Sequence, residues 1–209
     1  MKICEHFGSL QGEGLMIGAP TYFIRTSGCN LRCSWCDTKY ALNESDGMET
    51  PLEDIIEFIG DSENVCLTGG EPLLQEEMPE LMGNLVALGK HIVLETNGSR
   101  DLSIVPESDR ILISMDIKCP SSGVSDRMLV SNLKYLSKKD QLKFVINDYI
   151  DFNYAVKFLN ENEVDTNVIF CPVGGMNLRR LAEAVVDKGL NVRVLPQLHK
   201  IIWGDTRSV

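Results

Sequence analysis

The stretch Cys29-Asn30-Leu31-Arg32-Cys33-Ser34-Trp35-Cys36 places three cysteines on one short loop, in the spacing C-x3-C-x2-C. The cysteines nearest to this loop in the sequence are Cys4 and Cys66, so no fourth cysteine is close enough to complete the set. Structural zinc sites and fully ligated iron–sulfur clusters normally take four protein ligands. Three thiolates on one loop therefore indicate a cubane cluster in which one iron is left for a ligand that is not protein.

Strands and helices are predicted to alternate on both sides of this loop. The residues 21–26, directly before it, are rich in β-branched and aromatic side chains and are predicted to form a strand. Such alternation predicts a mainly parallel sheet. Since 209 residues are fewer than the ~250 of a full eight-unit barrel, we expect one α/β domain over residues 1–209, folded as a partial, open TIM-type (β/α) barrel. Further strands are predicted at 2–7, 65–68, 91–95, 110–114, 142–146, 168–170 and 191–195.

Three details of the helices can be predicted from local signals. Thr50 is expected to cap a helix, with Pro51 in its first position and Glu53 completing a capping box. A second helix is expected over residues 127–136. Asp151 is expected to cap a third helix that reaches residue 160.

The charge and the apolar content narrow the class of function. The formal net charge is −10, from 30 acidic and 20 basic residues, which argues against binding a nucleic acid through its phosphates. No apolar run approaches the length of a membrane span or a signal peptide, so we expect a cytoplasmic protein with no membrane partner. In that compartment seven cysteines do not indicate a disulfide framework.

Polar residues recur at the ends of the predicted strands. The segments 68–71, 95–97 and 114–118 each follow or end a strand, as the cysteine loop does. The carboxyl ends of parallel strands form the functional face of such a fold. The double glycine Gly69-Gly70 would also let the backbone approach a ligand closely. A ligand site is therefore expected at this edge of the sheet.

The cysteine spacing, with Trp35 before the last cysteine, resembles the signature of the radical S-adenosylmethionine (SAM) enzymes. Gly69-Gly70-Glu71-Pro72, Glu95-Thr96-Asn97-Gly98 and Ser114-x-Asp116-x-Lys118 add to the resemblance. It implies that Cys29, Cys33 and Cys36 act catalytically by binding a 4Fe–4S cluster whose fourth iron binds SAM. Reductive cleavage of SAM in that family gives a 5′-deoxyadenosyl radical that abstracts hydrogen. The SAM-binding residues implied are Trp35, Asp37, Gly70, Glu71, Glu95, Asn97, Ser114 and Lys118.

Both ends of the chain resemble one branch of these enzymes, the 7-carboxy-7-deazaguanine synthases. The segments are 9–14, together with Arg25, and 193–204. The resemblance implies ring contraction of 6-carboxy-5,6,7,8-tetrahydropterin with release of ammonia, in the biosynthesis of 7-deazapurines such as queuosine or archaeosine. It also implies Mg²⁺ at Thr38, an external electron donor such as flavodoxin or ferredoxin, and a homodimer. The substrate-binding residues implied are Leu10, Gln11, Gly12, Glu13, Arg25, Thr68, His199 and Val209.

Two other functions are compatible with the same residues. The activating enzymes of glycyl-radical enzymes share the cluster spacing and the Gly-Gly-Glu-Pro segment, and Asp116-Ile117-Lys118 resembles theirs. A non-catalytic iron–sulfur or zinc module would use the cysteine loop alone. Individual residues also have structural alternatives, since Asn97-Gly98 by itself encodes a turn and His199 could simply pack against Trp203.

Overall fold

Nine strands and five α-helices follow one another in the computed structural model, which describes residues 1–175 and 177–209. The strands are β1 (Lys2–Leu10), β2 (Pro20–Thr26), β3 (Met48–Glu49), β4 (Asn64–Gly69), β5 (His91–Thr96), β6 (Ile111–Ile117), β7 (Gln141–Ile146), β8 (Asn167–Pro172) and β9 (Arg193–Val194). The helices are α1 (Leu52–Ile59), α2 (Met78–Ala87), α3 (Tyr149–Glu161), α4 (Leu178–Asp187) and α5 (Leu198–Trp203).

All nine strands form one sheet in the order β3-β1-β2-β4-β5-β6-β7-β8-β9. Strand β2 and the strands from β4 to β9 are parallel to one another, whereas β1 runs antiparallel to both of its neighbours. The described strands at the two edges, β3 and β9, do not pair with each other, so the barrel is open. The expectation of an open, mainly parallel α/β barrel is thus confirmed.

The core explains why the parallel strands read as nearly continuous apolar runs. Strands buried on both faces, as in α/β folds, need apolar side chains on both. Phe144 on β7 and Phe170 on β8 pack edge to face with their centroids 5.4 Å apart, and Phe158 on α3 packs on Phe144 at 5.6 Å. This packing holds the strand ends of one edge in fixed positions, where loops can present polar groups to a ligand.

The capping predictions for two helices are wrong. Helix α1 has Pro51 as its N-cap, and the Thr50 hydroxyl donates to the Met48 carbonyl and makes no cap. Helix α3 is capped by Asp148, which accepts from the Ile150 and Asp151 amides. Pro51 follows the predicted cap by one position and Asp148 precedes it by three, because local sequence signals locate helix ends only to within a few residues.

Asp151 is buried and connects α3 to another loop instead of capping the helix. Its carboxylate accepts the Asn147 amide at 2.9 Å and the amide and hydroxyl of Ser121. It thereby ties the start of α3 to the loop that follows β6. A carboxylate with so many protein donors can be buried at acceptable cost.

The prediction of a helix over residues 127–136 is also wrong. This segment forms 3-10 turns at Ser125–Arg127 and Val130–Tyr135. Asn132 explains the irregularity: its side chain accepts from the Leu102 amide and donates to the Gly98 and Arg100 carbonyls, which fastens the segment to neighbouring loops. Within the described part of the chain, no helix combines the length and the apolar content needed to cross a membrane.

Candidate active site

A cavity of about 640 Å³ opens at the carboxyl ends of the parallel strands. The cysteine loop, the strand ends and the last residues of the chain all contribute to its walls. Three predicted site residues do not line it, namely Leu10, Glu71 and Ser114. The predicted residues that do line it are Gln11, Gly12, Glu13, Arg25, Cys29, Cys33, Trp35, Cys36, Asp37, Thr38, Thr68, Gly70, Glu95, Asn97, Lys118, His199 and Val209.

The cysteine loop is anchored by backbone hydrogen bonds at its start. Gly28 has φ +92° and donates to the Ala41 carbonyl at 2.9 Å, while Cys29 donates to the Leu42 carbonyl at 3.0 Å. The Gly28 carbonyl in turn accepts the Glu71 amide at 2.8 Å. The first cysteine is therefore held in place from both sides.

The three thiols of the loop line the same cavity and form no disulfide. The sulfur of Cys29 accepts from the Leu31 amide at 3.4 Å and from the Asn97 amide group at 3.7 Å. Burial raises the pKa of the Cys29 and Cys33 thiols, so binding iron there would release protons. This all-thiol donor set fits a 4Fe–4S cluster with three protein ligands.

No three His, Cys, Asp or Glu side chains among the described residues converge where a single metal ion could be held. A 4Fe–4S cluster makes a different demand, because each cysteine binds a different iron. The cysteine loop therefore fits a cluster better than the single tetrahedral ion of a zinc module.

Trp35, on the cysteine loop itself, is fixed by two residues that follow β6. Its indole N–H donates to the Ser121 hydroxyl at 3.0 Å, and the ammonium of Lys118 lies 5.5 Å from the ring centroid. Burial opposes the charge of Lys118, but the carboxylate of Asp116 and the Cys33 thiol outweigh it and raise the pKa of Lys118. The structure thus brings a permanent cation and an aromatic face beside the cysteine loop.

Glu71 is directed into the protein and away from the cavity. It is fully buried, and its carboxylate accepts from the Leu73 amide at 3.1 Å, the Thr96 hydroxyl at 2.8 Å and the Asn97 amide at 2.7 Å. Burial raises its pKa in spite of these donors. Glu71 is therefore placed to fix the loop after β5, including Asn97, instead of touching a ligand itself.

Ser114 similarly acts on a neighbouring side chain. It is buried, donates to Glu95 at 2.9 Å and accepts from the Gln141 amide group at 2.7 Å. Glu95 does line the cavity, and its second oxygen, Oε1, has no hydrogen-bond partner among the described residues. Ser114 and Gln141 hold one oxygen of Glu95 so that the other is available to a donor in the cavity.

A buried lysine at the centre of the site escaped sequence reasoning. Lys143, only 4% exposed, contacts Glu13, Glu95 at 3.0 Å and Asp116 at 3.4 Å. Burial opposes its charge, but the three carboxylates raise its pKa well above the ordinary value. The signal was a lysine in the middle of a strand whose other side chains are nearly all apolar, since such a charge must be paired inside.

Glu13 lies between this lysine and the end of the chain. One of its oxygens contacts Lys143 and the other accepts from the Gln197 amide group at 2.6 Å. Burial opposes its ionisation, but the charge and hydrogen bond of Lys143 and the bond from Gln197 lower the pKa of Glu13 to about 2. Glu13 is therefore an ionised acceptor at every ordinary pH.

This pKa predicts a component of acid sensitivity. Because the folded value lies below that of the unfolded chain, the stabilisation is complete above about pH 5 and is lost as the pH falls toward the folded value. In urea titrations between about pH 5 and about pH 3, the unfolding midpoint of the wild type should fall more steeply than that of Glu13→Gln. Parallel slopes for the two proteins would contradict the assignment.

The two ends of the chain meet at Gly12 and His199. The Leu198 amide donates to the Gly12 carbonyl at 2.8 Å, and a Cβ on Gly12 would collide with the His199 ring. Next to them, buried Gln11 accepts the Gly12 amide at 2.9 Å, while its Nε2 has no partner among the described residues. The absence of a side chain at position 12 lets the histidine reach the cavity beside the Gln11 amide.

Arg25 faces the cavity from β2, in register with Thr68 on β4. Its Nε donates to Glu5 at 2.7 Å, and Tyr40 donates to the same Glu5 oxygen at 3.0 Å. Glu5 and Tyr40 were missed in the sequence, because nothing in the spacing of residues 5, 25 and 40 shows that they meet. On the other side of the cysteine loop, the Thr38 hydroxyl lies 3.7 Å from the Cys36 sulfur.

Comparisons with known proteins agree with this geometry. A model of the Radical SAM superfamily matches residues 23–132. A 7-carboxy-7-deazaguanine synthase of Thermoplasma acidophilum is 44% identical over 211 residues, covering 100% of both chains. Another, of Methanospirillum hungatei, is 41% identical over 206 residues, covering 97% of this chain and 85% of that protein.

Solved structures share the fold at low sequence identity. The crystal structure of QueE from Escherichia coli superimposes with a TM-score of 0.72 at 22% identity and 93% coverage of both chains. Streptococcus suis SuiB bound to S-adenosylmethionine gives a TM-score of 0.59 at 17% identity, covering 80% of this chain and 47% of that one. These two structures therefore resemble this chain in its open-barrel fold.

Proposed function

The chain belongs to the 7-carboxy-7-deazaguanine synthase family of radical SAM enzymes, and from this premise we propose the reaction that its cavity carries out. The proposed substrate is 6-carboxy-5,6,7,8-tetrahydropterin, which is contracted to 7-carboxy-7-deazaguanine with loss of ammonia and no net oxidation. This makes the enzyme a carbon–nitrogen lyase in 7-deazapurine biosynthesis. The observation that carries the proposal is the convergence of the three loop cysteines with Gln11 and Arg25 on one cavity.

The family implies a 4Fe–4S cluster and SAM, and we propose that Cys29, Cys33 and Cys36 bind the cluster. When bound, the two groups together supply a 5′-deoxyadenosyl radical that abstracts a hydrogen atom from the substrate. The chain's own residues bind and orient. The free Oε1 of Glu95 can accept from a ribose hydroxyl.

The remaining SAM contacts follow from placement on the same walls of the cavity. Lys118 supplies a positive charge for a carboxylate, and Trp35, beside it, offers an aromatic face for adenine. Asn97, Asp37 and the backbone of Gly70 complete the proposed SAM-binding set. Glu71 and Ser114 belong to it as positioning residues, since each acts through a neighbour.

The substrate contacts are proposed at a second set of residues that line the cavity. Arg25 would bind the pterin carboxylate through its two terminal amino groups, the geometry in which arginine recognises carboxylates most specifically. The free Nε2 of Gln11 can donate to the heterocycle, and ionised Glu13 can accept from its N–H groups. Thr68, His199 and the chain end at Val209 complete that set, whereas Leu10 lies outside the cavity and would contribute only through its neighbours.

Further elements of the proposal rest on the family or on single features. Thr38 would give one oxygen to Mg²⁺, whose other ligands would be waters and substrate oxygens. An external donor such as flavodoxin or ferredoxin would reduce the cluster, and the enzyme would act as a homodimer. We also propose that residues 1–209 form a single radical SAM domain, supported by the continuous sheet, and that it works in the cytoplasm, where thiols stay reduced.

One assay tests the reaction. The protein is reconstituted anaerobically with iron and sulfide, supplied with reductant, SAM, Mg²⁺ and 6-carboxy-5,6,7,8-tetrahydropterin, and the products are identified by mass. We expect 7-carboxy-7-deazaguanine in the complete mixture and none in a matched protein sample that received no iron or sulfide.

The other outcomes distinguish the competing functions. If SAM is cleaved but no deazaguanine forms, the ring contraction is refuted and the activation of a glycyl-radical enzyme takes its place. If the reconstituted protein does not cleave SAM at all, the non-catalytic module is the remaining function. Omission of Mg²⁺ from the active mixture tests the proposal at Thr38 separately.

A further inference from the structure

A single carboxylate, that of Glu5, joins three separate parts of the chain at the rim of the cavity. Glu5 lies on β1, directly opposite Arg25 on β2, and its side chain is 8% exposed. One oxygen accepts from Arg25 and Tyr40, as described above. The other accepts from Arg207 at 3.2 Å and from the Ser208 hydroxyl at 2.9 Å.

The last six residues, 204–209, which we call the C-terminal tail, line the cavity. Arg207 lies with its guanidinium 3.5 Å from the centroid of the Tyr40 ring. Ser208 adopts φ +57°, a left-handed conformation that is unfavourable for a residue with a side chain. The hydroxyl bond from Ser208 to Glu5 helps to hold this strained residue in place.

The same carboxylate orients Arg25. Only Nε of Arg25 is used in this contact, and its two terminal amino groups make no hydrogen bond to the described residues. Because Arg25 lines the cavity, a ligand carboxylate can take both of these groups. Glu5 also lies between two guanidinium groups that would otherwise repel each other across Tyr40.

We propose that Glu5 is a positioning residue that latches the C-terminal tail over the cavity and at the same time directs the Arg25 fork toward the substrate carboxylate. Tail closure and substrate orientation are then two results of one set of hydrogen bonds. The second half of this inference rests on the proposed function, whereas the first half concerns the tail alone.

The latch is tested by hydrogen–deuterium exchange of the reconstituted enzyme with SAM. In Glu5→Gln, which keeps the size of the side chain and loses its charge, we expect the amides of the tail to exchange about tenfold faster. Arg207→Ala should also speed exchange of the tail amides, and this side chain is 53% exposed, so the fold itself should survive. The exposed Glu53→Gln on α1 is the matched control and should exchange like the wild type.

Steady-state kinetics test whether Glu5 directs Arg25 toward the substrate carboxylate. Glu5→Gln should raise the KM for 6-carboxy-5,6,7,8-tetrahydropterin about tenfold with a much smaller change in kcat, because Arg25 loses its orientation but keeps its charge. Arg207→Ala should raise KM less, since it leaves the bond between Glu5 and Arg25 intact. Combining the two substitutions should speed tail exchange by less than the product of the two single effects, as expected for partners that share one interaction.

The outcomes separate this inference from the proposed reaction. Wild-type tail exchange in both variants would overturn the latch even if the enzyme makes deazaguanine. Equal rises in KM for Glu5→Gln and Arg207→Ala would overturn the role of Glu5 in directing Arg25. If both variants show faster tail exchange but the wild-type enzyme forms no deazaguanine, the latch stands and the proposed reaction is refuted.

Discussion

Replacing Lys143 by methionine is expected to lower the free energy of unfolding by about 3–5 kcal/mol, the usual cost of breaking a buried ion pair from one side. Methionine has a similar length and fits an apolar barrel interior, so lost packing is not the reason. The reason is charge: Glu13, Glu95 and Asp116 would remain together in the barrel with one of their two nearby cations removed. We also expect no detectable deazaguanine, because Glu13 and Glu95, which both contact the Lys143 ammonium, would leave their positions in the cavity wall.

A second substitution shows whether the loss of stability in Lys143→Met comes from the lost charge or from lost packing. Lys143→Met combined with Glu13→Gln should recover part of the lost stability in urea unfolding, because one unpaired carboxylate is removed. The stability deficit of Lys143→Met should also shrink as the pH falls from neutrality, since buried carboxylates without a counter-ion take up protons. Lys157→Met, with 70% of its side chain exposed, serves as a control and should change stability by no more than about 0.5 kcal/mol.

A double variant no more stable than Lys143→Met alone would show that the lysine matters for packing and not for charge. In that case the carboxylates would be paired well enough without it.

Gly70→Ala is expected to disrupt the site through the backbone. A Cβ at this position would collide with the Gly28 carbonyl and would lie 2.6 Å from the Ala41 carbonyl. Neither obstacle is a side chain that can rotate away, and Gly28 immediately precedes the first cysteine. We expect a loss of about 1–3 kcal/mol in the free energy of unfolding, together with a marked fall in iron and sulfide bound per chain after reconstitution.

Gly83→Ala provides the matched control for this substitution. Gly83 is exposed on α2, and a Cβ there would meet nothing within 4 Å. Alanine is the better helix former, so this variant should gain about 0.5–1 kcal/mol and bind the cluster normally. If both variants bound equal amounts of iron, the close approach of Gly70 to the cysteine loop would not matter for the site.

The residues at the strand ends could be found from the sequence because a parallel sheet brings all its carboxyl ends to one edge. Hydrophobic runs located the strands, and the polar segment after each run, such as that of Glu95 and Asn97, then had to share a face. The cysteine loop directly follows β2, so its three thiols were expected at the same edge, and all three line the cavity there. Position on the correct face was therefore predictable for most of the site.

The direction in which a side chain points was not predictable in the same way. Glu71 and Ser114 lie in the expected segments, but neither side chain lines the cavity. Glu71 turns into the protein toward Asn97, and Ser114 is covered by Gln141, so both are held by residues distant in the sequence. The contact of Glu5 with Arg207 joins residues from opposite ends of the sequence. Contacts of this kind depend on how distant segments pack together in the folded barrel, which local sequence patterns do not record.

The two edge strands of the sheet, β3 and β9, are each only two residues long. An exposed edge presents unpaired N–H and C=O groups, on which another chain can add a strand and start a fibre. β3 pairs with only Lys2 and Ile3 of β1, and β9 pairs with only Ile169 and Phe170 of β8. Among the described strands, none pairs with residues 4–10 of β1 on that side of the sheet. The outer edge of β1 is therefore the longest stretch of the open barrel on which another chain can add a strand.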